Sequence, residues 1–142
     1  MNETLSPPKS AYEKALGMVY FPRMLDKIRL HAKGELRPDF HANLGRGADG
    51  WCAGFLRVSY ADLKERVLKG GTDEDILLWC FEKGRKLDDT DLMVWNHFAT
   101  KLGWRDMATP RLEKYKAESG LGDRGDLVTM VDYFDVDEGR KP

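Results

Sequence analysis

Apolar residues recur at helical spacing along most of the chain, and the pattern is clearest between residues 21 and 36. At about 100° per residue, one face of a helix there carries five apolar residues, namely Phe21, Met24, Leu25, Ile28 and Ala32. Leu30 falls on the opposite face, and a helix with apolar groups on two sides is typical of a central element. Pro22 can begin this helix and Gly34 can end it. We therefore predict a central helix near residues 22–33.

Residues that begin or end helices divide the rest of the chain into further segments of the same spacing. Helix starts are predicted at residues whose side chains can cap a helix, namely Ser59, Thr72, Asp88, Thr109 and Asp126. With a further start near residue 49 or 50, the predicted helices cover residues 50–56, 60–69, 74–82, 88–102, 109–120 and 127–134. A weaker helix is expected over residues 11–20, where Gly17 counts against it. The apolar run 76–81 is compatible with a buried strand, but its flanking caps favour a helix.

The pattern as a whole predicts the fold class. Strand alternation is nearly absent, so we predict an all-α fold, a single compact domain of about six or seven short helices around the central one. A chain of 142 residues is long enough to bury such a core. We expect this domain to cover residues 10–138, between a mobile N-terminal arm at 1–9 and a frayed tail at 139–142.

Composition limits the cellular compartments and the classes of partner that we expect for this protein. The net charge of -1 gives no global electrostatic reason to bind nucleic acid or an anionic membrane. No apolar run approaches the roughly 18 residues of a membrane helix, and the N-terminus lacks the basic start and apolar centre of a signal peptide. Cys52 and Cys80 are therefore expected to be free thiols rather than a disulfide. We predict a cytoplasmic protein that binds neither nucleic acid nor membrane.

Residues 45–50 have the pattern G-x-G-x-x-G, which is typical of dinucleotide-binding loops. That mechanism needs a preceding strand and a βαβ unit, and residues 40–44 do not have a strand pattern. We expect instead a tight loop leading into the helix that contains Trp51. Its backbone N–H groups and Arg46 could together hold a small carboxylate or phosphate. The alternative is that Asp49 caps this helix and Arg46 pairs with a nearby acid.

The histidines are candidate ligand contacts rather than metal ligands. His31 lies at the edge of the main apolar face of the central helix, and His41 lies close to Asp39 and Asn43 in the following loop. The metal-binding spacings H-x-x-x-H and H-E-x-x-H are absent. We predict no metal and no cofactor, with both histidines by default structural or on the surface.

Cys52 could act as a nucleophile, since it follows a predicted helix start, where a thiol can be activated. Its neighbours Trp51 and Phe55 favour the opposite interpretation, in which a buried cysteine is an inert small apolar residue.

The central helix also carries charges at the spacing of solvated ion pairs, namely Arg23 with Asp26, Asp26 with Arg29, and Lys27 with His31. Leu30 lies among these charges, which indicates that part of this face is covered. Covered charges must be paired. We expect the acidic residues of the segment 132–138 to be exposed to solvent at the end of the domain. The alternative is that they dock on the basic side of the central helix.

Several motifs together resemble a known family. They are RMLDKIRLHAKGEL, NLGRGADGWCAGFL, GGTDEDILLWC, VWNHFATKLGWRD and KAESGLGDR, and the similarity extends from about residue 20 to residue 140. The chain looks like a member of the bacterial family called domain of unknown function 5069. This resemblance implies a small bacterial domain that occurs on its own, and it assigns no catalytic residue.

Three functions remain open, and a non-catalytic binding domain is our first hypothesis. It would hold a small anionic ligand, or an acidic segment of a partner protein, at a site formed by Arg23, His31, His41, Gly45, Arg46, Gly47 and Asp49. An enzyme would instead draw its acid, base or nucleophile from His31, His41, Asp49 and Cys52. A scaffold would meet another protein through Trp104 and the Met93/His97 surface. A deep pocket with two perturbed titratable groups would favour the enzyme. A shallow basic concavity would favour the binding domain, and a flat apolar patch would favour the scaffold.

Overall fold

The computed structural model describes residues 5–142, and helices dominate it. The described chain begins with two short strands, β1 (Lys14–Ala15) and β2 (Met18–Val19). Seven α-helices follow within residues 5–142, namely α1 (Phe21–Ala32), α2 (Ala48–Phe55), α3 (Tyr60–Leu68), α4 (Asp73–Lys83), α5 (Asp89–Lys101), α6 (Thr109–Glu118) and α7 (Met130–Asp137). A 3-10 helix, Pro38–Asn43, lies between α1 and α2. The predicted all-α fold is confirmed, and none of the described helices has both the length and the apolar character needed to cross a membrane.

Helix α1 is the central element, as the apolar residues on two of its sides predict. It packs against α3, α4 and β1, and it buries Phe21, Met24, Leu25 and Ile28. Burial of each such side chain contributes about 1.5–3 kcal/mol to stability. The remaining buried positions of α1 include two cations, Arg23 and Lys27, which is the feature that positions the site.

A second, smaller core joins the C-terminal helices. It consists of buried residues from the end of α5 onwards, namely Leu102, Ala108, Leu112, Met130 and Tyr133. Ala48 and Phe134 pack against both this core and the main one. The two cores are therefore in contact, and residues from both line one cavity.

The predicted helix over residues 11–20 is wrong, because this segment forms a β-hairpin. Ala15 pairs with Met18 across a two-residue loop, Leu16 and Gly17. Both loop residues have a positive φ, 47° and 84°, as two-residue hairpin turns of type I′ require. Burial alternates only in β1, where Ala15 is buried and Lys14 is exposed, while both residues of β2 are buried. Two-residue strands of this kind leave no alternation for the sequence to show.

Most predicted helix boundaries are correct because their caps form. Ser59, Thr72 and Asp88 each accept a hydrogen bond from the backbone N–H three residues further on. The segment around residues 76–81 is helical, as its caps favoured, and not a strand.

Two predicted caps are wrong. Helix α7 begins at residue 130 rather than 127, and its cap is Thr129, whose hydroxyl accepts the Asp132 N–H at 3.2 Å. The carboxylate of Asp126 instead pairs with Arg124 at 2.9 Å, since short polar side chains in turns often bond locally. Thr109 is the first residue of α6 and not its cap.

The ends of the described chain contact the helical body. Residues 1–4 of the expected arm lie outside the described residues, whereas Pro8 is buried and the Lys9 N–H donates to Asp26 at 2.9 Å. Near the C-terminus, the guanidinium of Arg140 pairs with Asp135 at 3.2 Å.

Candidate functional site

The site begins with Lys27, a cation that α1 buries. Its Nζ lies 2.8 Å from Asp49 Oδ1 and donates a hydrogen bond to the Tyr20 hydroxyl at 3.1 Å. The Tyr20 hydroxyl donates to the same carboxylate oxygen at 2.6 Å. All three residues are buried, so each polar group is satisfied by the other two. We call this group the Tyr20–Lys27–Asp49 cluster.

Burial shifts the proton affinities of the cluster. Burial raises the pKa of the Tyr20 hydroxyl well above its usual value, and the charge of Asp49 adds to the increase. Burial also lowers the pKa of Lys27, although the nearby charge of Asp49 opposes this change. Both shifts favour the neutral side chain, because a low-dielectric surrounding disfavours the charged form.

Tyr20 has an unusual backbone for a bulky residue. Its φ of 74° lies in the left-handed region at the start of α1, which non-glycine residues rarely occupy. Such strain persists only where surrounding contacts hold it in place. Here the Tyr20 N–H donates to the Ala11 carbonyl at 3.0 Å, and its hydroxyl is held by the cluster.

The second buried cation, Arg23, is held from the C-terminus. Glu138 accepts two hydrogen bonds from its guanidinium, at 2.8 and 2.6 Å, and the guanidinium lies 4.5 Å from the centroid of the Phe134 ring. Its Nη1 also donates to the Lys9 carbonyl at 3.1 Å. Its Nε is buried and has no hydrogen-bond partner among the described residues.

These contacts correct the local ion pairs predicted along the central helix. Its cations instead use partners distant in sequence, namely Glu138 for Arg23, Asp49 for Lys27 and Asp73 for Arg29. The alternative prediction, that the acidic segment 132–138 docks on the basic side of this helix, is confirmed for Glu138, whose side chain is buried against Arg23. Two other acids of the segment pair elsewhere, Asp135 with Arg140 and Asp137 with Arg37.

The glycines of the loop 45–50 are explained by packing rather than by phosphate binding. Gly45 has a φ of 76°, and a Cβ there would lie 2.9 Å from the ring of Tyr60. A Cβ on Gly50 would lie 3.1 Å from the Gly45 carbonyl oxygen. The Gly45 N–H donates to Asp49 Oδ2 at 3.1 Å, so Asp49 closes the loop and does not cap α2, whose N-cap, Gly47, makes no side-chain hydrogen bond.

A cavity of about 720 Å³ lies beside the cluster and reaches both cores. Tyr20, Arg23 and Lys27 of the α1 region line it on one side. Its apolar lining comes from the other elements and includes Phe40, Trp51, Met107, Tyr115 and Phe134. The volume lies within the range of about 300–1,000 Å³ typical of small-molecule pockets.

Two further arginines line this cavity, Arg46 from the glycine loop and Arg111 from α6. Arg111 reaches the residue that follows Arg46 in the loop, because a Cβ on Gly47 would lie 3.6 Å from Arg111 Nη1. Three acids line the cavity. Arg37 holds two of them, Asp39 and Asp137, at 2.6 and 3.3 Å, whereas Glu118 forms no ion pair within residues 5–142. Neither Arg46 nor Arg111 forms an ion pair within residues 5–142, so the alternative prediction that Arg46 pairs with a nearby acid finds no partner among the described residues.

The structure brings together only part of the predicted ligand site. The cavity is lined by Arg23, Arg46 and Gly47, while Gly45 and Asp49 support the loop behind it. The exposed histidines lie elsewhere: the rings of His31 and His41 pack edge to face with centroids 4.7 Å apart, and neither lines the cavity. In the described part of the chain, no three side chains of the His, Cys, Asp and Glu types are grouped so that they could hold a metal ion.

The residues proposed for the other two functions are also located. Cys52 and Cys80 are free and buried, and burial raises the pKa of the Cys52 thiol, so the predicted burial of Cys52 is confirmed, and its lack of reactivity stays a prediction. Trp104 and Met93, on the predicted scaffold surface, are 49% and 55% exposed.

Sequence reasoning missed Tyr20, Lys27 and Arg111 as site residues. The signal for Tyr20 and Lys27 was their separation by two helical turns, which places them on one side of α1. No local signal marks Arg111, because only tertiary packing brings α6 to the glycine loop.

The range of the chain that matches a known family includes every residue of the candidate site. No curated protein matches the chain significantly. Residues 5–140 match the sequence model of the family described as Domain of unknown function (DUF5069). The matched range includes the cluster, both cavity arginines and Glu138, and the chain belongs to the DUF5069 family.

Proposed function

We propose that this protein binds a small organic anion in the cavity beside the Tyr20–Lys27–Asp49 cluster. The observation that carries the proposal is the pair Arg46 and Arg111, which lines the cavity without an acidic partner in the described chain. A guanidinium with unused N–H groups can bind a carboxylate or phosphate through two parallel hydrogen bonds.

The apolar lining supports an organic anion rather than an inorganic one. Phe40, Tyr115 and Phe134 offer aromatic surface inside the cavity, and Trp51 at its edge is 40% exposed. A ligand with an aromatic or aliphatic body would remove this surface from water, which contributes about 25 cal/mol per Å². The charged and apolar parts of the lining therefore favour an amphiphilic acid.

An enzyme is the second candidate function, and a specific observation favours it. The titratable groups that line the cavity include Tyr20, whose pKa is raised by burial, and Lys27, whose pKa is lowered by burial. Such groups in a pocket are typical of catalytic sites. The histidines and Cys52, which the sequence offered for catalysis, do not line this cavity.

Thermal denaturation tests the anion site. A ligand that binds only the native protein raises the unfolding midpoint as its concentration rises. With inorganic phosphate, aliphatic carboxylates and aromatic carboxylates at fixed ionic strength, we expect the aromatic carboxylates to raise the midpoint most. Arg46→Ala or Arg111→Ala should weaken binding about tenfold or more, since a hydrogen bond to a charged group contributes about 1.5–3 kcal/mol. Arg46→Lys should lie between these variants and the wild type, because lysine lacks the planar fork.

Lys114→Ala is the matched control, because Lys114 is exposed on the same helix as Arg111 and does not line the cavity. This variant removes a positive charge and should bind like the wild type. The anion site is wrong if no anion raises the wild-type midpoint, or if both arginine variants respond as strongly as Lys114→Ala.

We further propose a cytoplasmic, bacterial protein that binds neither nucleic acid nor membrane. The net charge of -1 and the two free, buried thiols support this compartment and these partners, and the motif resemblance supports the bacterial origin. Subcellular fractionation should recover the protein with cytoplasmic markers, and recovery with exported or membrane proteins would contradict the proposal.

A further inference from the structure

Lys27 differs from Lys116, the other buried lysine among residues 5–142, in what it faces. The Nζ of Lys116 donates to the Leu127 carbonyl at 3.1 Å, and this residue does not line the cavity. Lys27 lines the cavity with its side chain 7% exposed. Lys27 is therefore the buried lysine that borders the cavity.

A buried lysine beside an acid and a hydroxyl is equipped for covalent chemistry. Amine attack on a carbonyl requires the neutral amine, a nearby base to accept its proton, and a proton donor for the oxygen that leaves. Asp49 Oδ1 lies 2.8 Å from Nζ and can accept the proton. The Tyr20 hydroxyl, 3.1 Å from Nζ and 2.6 Å from the same carboxylate, can return it.

We infer that Lys27 forms a Schiff base with an aldehyde or ketone that also carries an acidic group, an oxo acid being the simplest example. The inference rests on the proposed anion site, because Arg46 and Arg111 would hold the acidic group while the carbonyl faces Lys27.

The step balances without any further reactant. Asp49 takes one proton from the Lys27 ammonium, and the nitrogen lone pair attacks the carbonyl carbon while the carbon–oxygen π electrons move to oxygen. The nitrogen then gives up a second proton, and the oxygen takes up two through Tyr20 and Asp49. The carbon–oxygen bond breaks, water leaves, and the C=N bond forms as a protonated imine. The net change is ammonium plus carbonyl to iminium plus water.

The surroundings of Lys27 support this chemistry. Burial lowers the pKa of its amine, with Asp49 opposing and Arg23 reinforcing the change, and Glu138 acting against it from the C-terminus. A neutral amine is therefore easier to reach here than on an exposed lysine.

A purely structural role also explains the contact with Asp49, since this carboxylate accepts the Gly45 N–H and ties the loop to α1. In that case Lys27 should react no faster than Lys116, because both would be enclosed by the protein.

Reductive trapping distinguishes the two roles. The wild-type protein is incubated with pyruvate, phenylpyruvate or levulinate and sodium cyanoborohydride, which reduces an imine to a stable secondary amine. Intact-mass measurement and peptide mapping then locate the adduct. A bound and oriented carbonyl should modify Lys27 at least about tenfold faster than the exposed Lys114, and Lys116 should stay unmodified.

The outcomes separate this inference from the proposed function. If an oxo acid raises the unfolding midpoint but no adduct forms on Lys27, the Schiff base is wrong and the anion site stands. If neither the midpoint nor the mass changes, both are wrong. Adducts spread over exposed lysines without preference for Lys27 also overturn the inference.

Two variants test the assigned roles, and mapping on the wild type keeps the inference testable if either fails to fold. Lys27→Arg keeps the positive charge but removes the amine, so trapping at this position should be lost. Tyr20→Phe leaves the pair of Lys27 and Asp49 in place and should slow trapping without abolishing the anion-dependent rise in midpoint. Trapping at the wild-type rate in Tyr20→Phe would exclude Tyr20 from the proton transfer.

Discussion

Asp49 shows, at the scale of single residues, how one buried carboxylate joins the loop, the central helix and the cavity. Its Oδ1 accepts from Lys27 and Tyr20, and its Oδ2 accepts from the Gly45 N–H. An ionised carboxylate has several acceptor sites, so these contacts compensate for the cost of burying its charge. The same contacts hold Lys27 at the edge of the cavity, which links the stability of the loop to the proposed chemistry.

The thiols are predicted to react slowly in the native protein. Burial raises the pKa of Cys52, and it raises the pKa of Cys80 from 9.0 to about 12, whereas the thiolate is the reactive form. A thiol reagent at neutral pH should label both residues slowly under native conditions and quickly in denaturant. Rapid native labelling of Cys52 would contradict the buried, protonated thiol and restore it as a candidate nucleophile.

At the scale of secondary-structure elements, capping residues and glycines determined where most of the helices begin and end. Where a cap residue bonds to a backbone N–H of its own helix, as at Ser59, Thr72 and Asp88, the predicted boundary is correct. The prediction is wrong where another geometry competes. Apolar spacing over residues 11–20 fits a helix, but the positive φ of Leu16 and Gly17 turns the chain back into a hairpin.

Substitution of a glycine in the hairpin turn and of a glycine in helix α2 should have opposite effects on stability. Gly17→Ala should destabilise the protein by about 1–2 kcal/mol, since a left-handed backbone, here φ +84°, is costly for a residue with a Cβ. Gly54→Ala is the matched control, because Gly54 is exposed in α2 and a Cβ there would have no atom within 4 Å. Alanine in that helix should be neutral or stabilise by up to about 1 kcal/mol. Urea unfolding of both variants measures the difference, and equal effects would argue against the turn.

At the scale of the whole molecule, contacts from both ends of the described chain hold α1 in place. Arg23 donates to the Lys9 carbonyl from the N-terminal side and to Glu138 from the C-terminal side. The Glu138 side chain is fully buried against it. These contacts close the fold around α1 and place Phe134 against the Arg23 guanidinium, which shapes one side of the cavity.

Removing the negative charge of Glu138 should therefore destabilise the whole domain. Glu138→Gln leaves the buried Arg23 without a charged partner, and breaking a buried ion pair typically costs about 3–5 kcal/mol. Glu35→Gln is the control, because Glu35 is exposed and forms no ion pair in the described chain. Urea or thermal unfolding should show a large loss only for Glu138→Gln. A loss as small as that of the control would mean that the pair does not anchor α1.

The sequence by itself determined the local features of this protein, namely the all-α class, the central helix, three of the caps and the buried thiols. These features depend on neighbours within a few residues, so apolar spacing and side-chain type are sufficient to predict them. Local pattern also excluded the dinucleotide interpretation of the glycine loop, since that loop follows no strand.

Only the tertiary structure decided the partners of the buried charges and the composition of the site. A covered face was predictable from Leu30, but spacing along a helix cannot show that Lys27 meets Asp49 or that Arg23 meets Glu138 across 115 positions. Arg111 of α6 reaches Gly47 of the glycine loop, while His31 and His41 lie outside the cavity lining with their rings in contact. The physical reason is that a buried charge takes whichever partner the packed chain brings within hydrogen-bond distance, and that distance is a property of the fold.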